Sequence, residues 1–597
     1  MDIQVQGNRT VVDTPAYRLE LANGLATSNL ADKATRRFFA FVCGGACNAV
    51  DAFDNVSDIS EWMVVSSNGG EAVLERKEKS SVWNVKTTRL HLFEDAIEFQ
   101  YELKGRHAVE DIRFFRPVIN GVEFGFCGDI DEIYSTAPNF QDRQYYHPVD
   151  TVAICYGNDL DVRTGSHALA STPHVMALHD RRDTGYLTAS VFAAPGNYLW
   201  DEMLWNPKIS IPPTWYHGDD VIGGGFSIGY HGKLTVDGAW TSPSLCLTFA
   251  SSEDRVLPDA LEYAYRRNYL PRPGRHPHPK WWEEPIYCTW HDQCALSEKG
   301  MLRFTEEPEH PQGTFCTQAN VDEWLGHLEA NDCHVGTVVL DDKWQENFSS
   351  AEPNKERWPD LRGWIDSLHA KGMRVSLWWP AWFAEGVPEE AAITRDGKIV
   401  CGDPTNPKYE AILREMFRRF LSDEPDGLNA DAVKIDGLMC LPVGHGLKNH
   451  GNLWGLELQR RLLEICYNAA HKTKNDACIG LFAGHPYLDS FMDMVRLADL
   501  YTWRTDTIHT ADVRFRLYRT TNPNVLVDSD GHFLFTIGPN YLESLDHARQ
   551  LGCIPTLYTA RHLLQRRFLL PPAYKTLDAS DYKGMADILK AYRAAHE

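Results

Sequence analysis

The sequence predicts a multidomain protein of the β plus α/β class, in which an N-terminal antiparallel β-sandwich is followed by a (β/α)8 TIM barrel. Short alternating apolar runs fill residues 1–270. In residues 285–575, helical patterns alternate with short apolar strands, as in parallel βαβ units. A linker, residues 271–284, begins with a Pro-rich stretch between the two regions. Residues 576–597 predict a C-terminal helical tail.

The sandwich prediction depends on short runs whose apolar residues alternate with polar ones. Gly, Asn, Asp and Pro divide these runs, examples of which are residues 17–21, 87–93, 97–103 and 245–249. A period of two residues gives each strand one apolar face, which an antiparallel sandwich buries between its two sheets.

The barrel prediction depends on eight apolar segments separated by helical patterns. The helical spacing of apolar residues is clearest in residues 321–328, 361–370, 409–421 and 453–470. The proposed strands lie near Ile286, Val338, Val375, Val433, Ile479, Leu500, Val525 and Ile554. In such a barrel, catalytic residues stand at the C-terminal ends of the strands.

The fourth of these strands, residues 430–437, ends in an ionisable pair. Val433 and Ile435 alternate with Lys434 and Asp436, so the two apolar residues are expected to face the helices and the charged pair the barrel interior. A structural ion pair at a strand end is the alternative interpretation. Charged and aromatic residues at the ends of other strands favour a functional site.

Three other strands deliver residues suited to sugar recognition. Carboxylates accept hydrogen bonds from sugar hydroxyls, and an indole ring covers the apolar face of a pyranose. The candidates are Asp341, Asp342 and Trp344 after the second strand, Trp378 and Trp379 at the third, and Arg504 and Asp506 after the sixth. Trp290, His291, His445 and His485 also follow strands and are candidate pocket residues.

Together these segments resemble the clan GH-D α-glycosidases, which comprise glycoside hydrolase families 27, 31 and 36, with families 36 and 31 the most similar. The resemblance is carried by residues 340–345, 357–361, 368–372, 403–407 and 433–436. It implies a retaining α-glycoside hydrolase in which Asp436 is the nucleophile. It also implies that Lys434, Asp341 and Asp342 contact substrate hydroxyls and that Arg504 lies near the acid/base carboxylate.

In many members of these families the acid/base carboxylate follows an arginine of the sixth strand by three or four residues. Counted from Arg504, those positions hold Thr507 and Ile508. Asp506 is therefore the predicted acid/base residue, and Asp512 is the alternative. Asp528 and Asp530 resemble a family aspartate after the seventh strand, although an Asp-x-Asp-Gly turn explains them equally well.

The chemistry of glycoside cleavage requires two carboxylates with different protonation states. One must be ionised to meet the positive charge that develops at the anomeric carbon, and the other must be protonated to assist the leaving oxygen. The predicted substrate is an α-glycoside, as in α-galactosidases. A transglycosylase of the raffinose-synthase type and a catalytically silent sugar-binding protein are the alternatives.

Composition is that of an ordinary enzyme. The chain has 597 residues, 43% of them hydrophobic, and a net charge of −23, which argues against nucleic-acid and anionic-membrane partners. Its polar start lacks the pattern of a signal peptide, which predicts a cytoplasmic location. The 14 cysteines include no CxxC pair and the 24 histidines no HExxH motif, so neither a metal nor another cofactor is expected. The sequence does not decide whether the protein forms a homo-oligomer.

Overall fold

The fold is described from a computed structural model of the chain. The described residues are 1–24, 28–34, 38–128, 130–135, 162–164, 175–180, 185–206, 222–303, 306–481, 484–497, 507–530, 541–565 and 573–596. Within this part of the chain, no helix is long and apolar enough to cross a membrane.

In the described part of the N-terminal region the β-strands pair in antiparallel fashion, apart from one parallel contact between β7 and β12. The strands are β1 (Asp2–Gln6), β2 (Arg9–Asp13), β3 (Tyr17–Ala22), β4 (Ser28–Asp32), β5 (Phe38–Phe41), β6 (Cys47–Ala49), β7 (Val56–Ile59), β8 (Met63–Asn68), β9 (Glu71–Ser80), β10 (Val85–Phe93), β11 (Ala96–Phe114), β12 (Val118–Ile119), β13 (Val122–Glu123), β14 (Phe126–Gly128), β15 (Ile130–Ser135), β16 (Val162–Thr164), β17 (Val175–Asp180), β18 (Tyr186–Phe192), β19 (Glu202–Asn206), β20 (Ile222–Gly229), β21 (Thr235–Thr241) and β22 (Ser244–Ala250).

The long strand β11 organises this region. Its first half pairs with β10, β21 and β22, and its second half pairs with β6 and β20 beyond a register shift between Val109 and Asp111. In β9 and β10, buried residues alternate with more exposed ones, as the period-two pattern predicts. The antiparallel pairing agrees with the sequence analysis, and the arrangement in two sandwich layers stays a prediction.

The second region is built around eight parallel strands. These are β23 (Ile286–Cys288), β24 (Thr337–Leu340), β25 (Arg374–Pro380), β28 (Ala432–Asp436), β30 (Cys478–Leu481), β31 (Met494–Arg496), β32 (Leu526–Asp528) and β33 (Thr556–Leu557). They pair in the order β32, β31, β30, β28, β25, β24, β23, β33, and a parallel bridge from Asp528 to Ile554 brings the two ends of the sheet together. The parallel barrel predicted from the sequence is thus present and nearly closed.

One predicted strand position needs correction. The sixth strand is Met494–Arg496 and not a segment near Leu500, which lies outside the described residues. Residues 500–503 are rich in the aromatic and apolar types that strands favour, whereas the true strand is only three residues long. The shift matters because it changes which arginine stands at the end of the sixth strand.

Helix α1 (Glu253–Arg266) precedes the first barrel strand and packs against β17, β18 and β22 of the N-terminal region. The remaining helices follow the barrel strands. They are α2 (Trp290–Glu298), α3 (Gln318–Ala330), α4 (Leu361–Ala370), α5 (Pro407–Leu421), α6 (Gly455–Thr473), α7 (Thr507–Thr521), α8 (Tyr541–Leu551) and α9 (Ala579–His596). Two small antiparallel sheets, β26 (Ala392–Arg395) with β27 (Lys398–Gly402) and β29 (Leu447–Lys448), and β34 (His562–Gln565) with β35 (Ala573–Thr576), lie in the connections. Asp360 and Asn406 cap α4 and α5 by accepting backbone N–H groups, which fixes where these helices begin.

Helix α9, predicted as a tail, packs against the barrel. Tyr592 joins the buried cluster inside the barrel that contains Ile286 and Val339, and its hydroxyl donates to the backbone carbonyl of Glu283 at 2.9 Å. Trp282, from the predicted linker, is buried in the same cluster. Trp282 and Tyr592 therefore pack at the N-terminal end of the barrel, opposite the strand ends that carry Asp341 and Asp436.

Candidate active site

Charged side chains from several strands meet at the C-terminal end of the barrel. On β28, Val433 and Ile435 are fully buried in the main hydrophobic core, as predicted from their alternation with Lys434 and Asp436. The charged residues of the site are Asp341 and Asp342 after β24, Lys434 and Asp436 on β28, Arg496 on β31, and Asp528 and Asp530 at and after the end of β32.

Asp436 ends β28, and its carboxylate accepts three hydrogen bonds. Arg496 Nη2 and the Gly437 backbone N–H donate to Oδ1 at 3.2 and 2.9 Å, and Trp378 Nε1 donates to Oδ2 at 3.1 Å. Burial would raise the pKa of Asp436, but the charges of Arg496 and Lys434 outweigh it and hold that pKa below its ordinary value. The side chain stays 31% exposed. Asp436 is therefore an ionised carboxylate within reach of a ligand.

The turn after Asp436 needs a glycine. Gly437 has a φ of +70°, in the left-handed region that glycine adopts without strain. A Cβ at this position would also meet the Phe383 ring at 2.9 Å. A side chain here would therefore disturb the N–H that binds Asp436.

Lys434 lies two residues before Asp436, on the same face of β28 and deeper in the barrel. Its Nζ donates to Asp341 Oδ2 at 2.7 Å and to the Tyr558 hydroxyl at 3.1 Å, and it lies 3.7 Å from Asp530 Oδ1. Burial would lower the pKa of Lys434, but the neighbouring carboxylates, with Asp341 foremost, raise it well above its ordinary value. Lys434 remains a cation and fixes the orientation of Asp341.

The two adjacent carboxylates after β24 have different environments. Asp341 is buried and receives hydrogen bonds from Lys434 and from the Cys288 thiol. Asp342 is partly exposed as a residue, but its Oδ1 is buried and accepts no hydrogen bond from the described residues. Burial, followed by the charge of Asp341, raises the pKa of Asp342 to about 7, and the charge of Asp436 adds to this. Asp342 therefore has a carboxylate oxygen that is left without a hydrogen bond within the described part of the chain.

Arg496 connects two carboxylates. Its Nη1 pairs with Asp530 while its Nη2 binds Asp436, and its side chain is only 4% exposed. Asp528 accepts the backbone N–H of Asp530 at 2.9 Å, and burial together with the charge of Asp530 raises the pKa of Asp528 to about 7. The Asp528 carboxylate thus holds the backbone of Asp530, and Asp530 pairs with Arg496 beside Asp436. Gly531 lies outside the described residues, and a role of the segment in the site stays a prediction.

The tryptophans predicted to bind sugar divide between the two faces of β25. Trp378 points to the interior and donates to Asp436. Trp379, its neighbour, points outward, is 1% exposed and packs edge-on against Phe417 of α5. Trp344 is fully buried against Phe420 of the same helix. Because neither ring face is accessible, Trp344 and Trp379 are removed from the candidate sugar-binding residues.

The remaining predicted residues are only partly located. Trp290 begins α2 and is partly buried, packing against the barrel interior cluster and against the small cluster of Cys294 and Leu564. Arg504 and Asp506 lie outside the described residues. Asp512, the alternative acid/base residue, lies on α7 and pairs with His547 Nε2 of α8 at 2.7 Å. Asp512 thus takes part in a contact between two outer helices.

The candidate histidines serve other contacts. His291 Nε2 accepts the backbone N–H of Leu564 at 2.9 Å. His485 is buried, which lowers its pKa to about 3, and its Nδ1 accepts the N–H of Tyr487. His445 lies 3.0 Å from Glu110 of the N-terminal region. These placements do not bring a histidine into contact with Asp436.

Sequence reasoning missed Arg496 and Tyr558. Residues 494–496 do follow the pattern used for the other strands, an apolar run that ends in a charged residue, so Arg496 could have been found by applying that pattern to a shorter segment. Tyr558 follows the two-residue strand β33 and reaches Lys434 across the barrel. No local pattern in the sequence indicates that contact.

No family model matches the chain, and no curated protein sequence matches it. Among solved structures, it is similar to an α-N-acetylgalactosaminidase from Bifidobacterium bifidum in complex with GalNAc, with a TM-score of 0.62, 12% identity, and 98% of this chain and 92% of the other covered. It is also similar to a GH31 family sulfoquinovosidase from E. rectale, with a TM-score of 0.53, 10% identity, and 99% and 83% of the two chains covered. The chain therefore has the fold of clan GH-D α-glycosidases.

Proposed function

We propose that the protein is a retaining α-glycoside hydrolase in which Asp436 is the nucleophile. The observation that carries this proposal is the state of Asp436, an ionised and partly exposed carboxylate at the C-terminal end of a barrel strand. Three donors fix its orientation, and one of them belongs to Arg496. The fold that the chain shares with an α-N-acetylgalactosaminidase and a sulfoquinovosidase supports the same assignment.

In the first step, an Asp436 oxygen forms a bond to the anomeric carbon while the bond to the leaving oxygen breaks. A second carboxyl group gives its proton to that oxygen. In the second step, water attacks the glycosyl–Asp436 ester and the second group takes a proton from the water. Two inversions at the anomeric carbon leave its configuration unchanged.

Asp342 and Asp341 are the proposed hydroxyl-binding residues. Asp342 has a buried carboxylate oxygen without a hydrogen bond from the described residues, and a small rotation of its side chain would present that oxygen to a sugar hydroxyl. Lys434 donates to Asp341 and fixes its orientation. Charge-assisted hydrogen bonds from sugar hydroxyls to these carboxylates would orient the anomeric carbon over Asp436. The indole N–H of Trp378 would hold the plane of the Asp436 carboxylate by donating to Oδ2.

For the acid/base role we propose Asp499 in place of Asp506. The family spacing of three or four residues must be counted from the arginine of the sixth strand, which is Arg496. Asp499 is the third residue after it in the sequence. Asp506, the position predicted from Arg504, is the alternative, and both aspartates lie outside the described residues.

A substrate screen with product analysis tests the proposal. Aryl α- and β-glycosides should be compared, including α-galactosides, α-N-acetylgalactosaminides and α-sulfoquinovosides. The last two classes are included because the two solved structures similar to this chain are named as an α-N-acetylgalactosaminidase and a sulfoquinovosidase. We expect cleavage of an α-glycoside and, by NMR, an α-configured first product. A first product of β configuration would refute the retaining mechanism. Transfer to an added sugar acceptor in preference to water would indicate a transglycosylase, and binding without turnover a sugar-binding protein.

A further inference from the structure

Two histidines and a glutamate meet where the N-terminal region contacts the barrel. Glu110 lies on β11, His231 follows β20, and His445 lies in the loop between β28 and α6. Glu110 Oε1 is 3.0 Å from His445 Nε2 and 3.6 Å from His231 Nδ1. One ligand atom from each of the three residues lies within 4.8 Å of the other two. We propose that these residues bind a divalent transition-metal ion of the Zn²⁺ type.

The donor set suits such an ion. Zn²⁺ binds imidazole nitrogen and carboxylate oxygen at about 2.0–2.2 Å, so two ligands in a tetrahedral site stand about 3.3 Å apart. The observed separations of 3.0 and 3.6 Å bracket this value. Small shifts of the side chains are enough to bring all three ligands to a common centre, and water would complete the coordination.

A second observation concerns the other oxygen of Glu110. Its Oε2 is buried and accepts no hydrogen bond from any residue that the structure describes. A buried carboxylate oxygen without a donor is costly, and a bound cation removes that cost. The side chain of Glu110 is 27% exposed, so an ion can enter from solvent.

The backbone holds the three residues in place. The N–H groups of Tyr230 and His231 both donate to the Glu110 carbonyl, at 2.8 and 3.0 Å, which fixes His231 against β11. Next to His445, the Gly444 N–H donates to Asp201 at 2.8 Å. The ligands therefore sit on a formed framework and need no large rearrangement to bind an ion.

The site would link two parts of the chain that are distant in sequence. His445 belongs to the loop that follows the strand of Asp436, whereas Glu110 and His231 belong to the N-terminal β-region. A metal ion would thus fasten this loop to the β-region. It would act in structure and not in the reaction, and the inference does not depend on the proposed function.

The experiment uses the full chain without a histidine tag. The metal content is measured by mass spectrometry after treatment with EDTA and dialysis against ZnCl₂, and Co²⁺ replaces Zn²⁺ in a parallel sample to give the visible absorption of tetrahedral coordination. We expect about one ion per chain, because a three-ligand site with water binds a single Zn²⁺. EDTA should also lower the Tm of the loaded protein.

His231→Ala and His445→Ala are the test variants, and His334→Ala is the control. His334 is likewise exposed and near a carboxylate, at 3.8 Å from Asp332, but has no second histidine beside it. Both test variants should lose the ion and the effect of EDTA on Tm, whereas the control should keep both. The proposal is overturned if His445→Ala still binds the ion, or if the unchanged protein does not bind it. The three residues would then form only a hydrogen-bonded cluster.

Discussion

Replacing Arg496 by Gln should reveal how much of the site depends on one guanidinium. At 3.2 Å from Asp436 Oδ1, its charge contributes at most about 5 kcal/mol in a medium of effective dielectric constant about 20. Asp436 is 31% exposed and keeps the donors Trp378 and Gly437, so the net loss at this carboxylate should be much smaller. We expect the pKa of Asp436 to rise, because the charge of Arg496 is the foremost cause of its lowering.

The direction of the pH effect follows from the cause. Arg496 lowers the pKa of Asp436, so its removal raises that pKa, and the carboxylate becomes protonated at a higher pH. The break at the acid extreme of the kcat/KM profile should therefore move to higher pH. Because a buried cation is also removed from Asp530, the free energy of unfolding in urea should fall by about 3 kcal/mol.

Arg374→Gln is the matched control. Arg374 also lies 3.2 Å from an aspartate, Asp431, but it begins β25 at the opposite end of the barrel and is 41% exposed. It should leave the pH profile unchanged and cost less than about 1 kcal/mol. An Arg496→Gln variant that leaves the acid break in place, or that is destabilised no more than Arg374→Gln, would contradict the role of Arg496 at Asp436.

Two further predictions concern the other carboxylates. Asp342→Asn should lower kcat/KM strongly with little effect on Tm. It should also remove from the kcat/KM profile an ionisation near pH 7, which reports the raised pKa of Asp342. If the variant keeps this ionisation and its kcat/KM stays within about twofold, a difference of about 0.4 kcal/mol, Asp342 lies outside the pocket. Asp499→Ala should slow alkyl glycosides far more than nitrophenyl glycosides, because a poor leaving group needs a proton donor. Asp506→Ala and Asp512→Ala, assayed beside it, should not show this dependence on the leaving group, and the acid/base role belongs to whichever of the three variants does show it.

The sequence alone predicts the direction of side chains where one strand carries both the apolar and the charged residues of an alternating pattern. Residues 433–436 alternate between apolar and charged types, and in the structure Val433 and Ile435 lie in the main hydrophobic core while Lys434 and Asp436 face the interior, as predicted. The pair Trp378 and Trp379 was harder, since neighbouring residues on a strand face opposite ways and both are equally aromatic. Only the register of β25 within the barrel decides which ring faces Asp436.

Other parts of the site depend on contacts between distant segments. Arg496 was missed because its three-residue strand has a weaker pattern than residues 500–503. The contact of Tyr558 with Lys434 joins two strands that are not neighbours in the sheet. Glu110, His231 and His445 come from three separate segments, and no spacing rule relates them. Such arrangements follow from the folded chain as a whole.

The most direct test of the account is the replacement of Asp436 by Ala, with turnover measured on a cleaved aryl α-glycoside in the absence and presence of azide. Loss of the nucleophile should reduce kcat by about 10³-fold or more while the Tm stays close to that of the unchanged protein. Azide, which fits the space left by the carboxylate, should restore cleavage and give a β-glycosyl azide. A correctly folded Asp436→Ala variant with near-normal activity would contradict the assignment of Asp436 as the nucleophile.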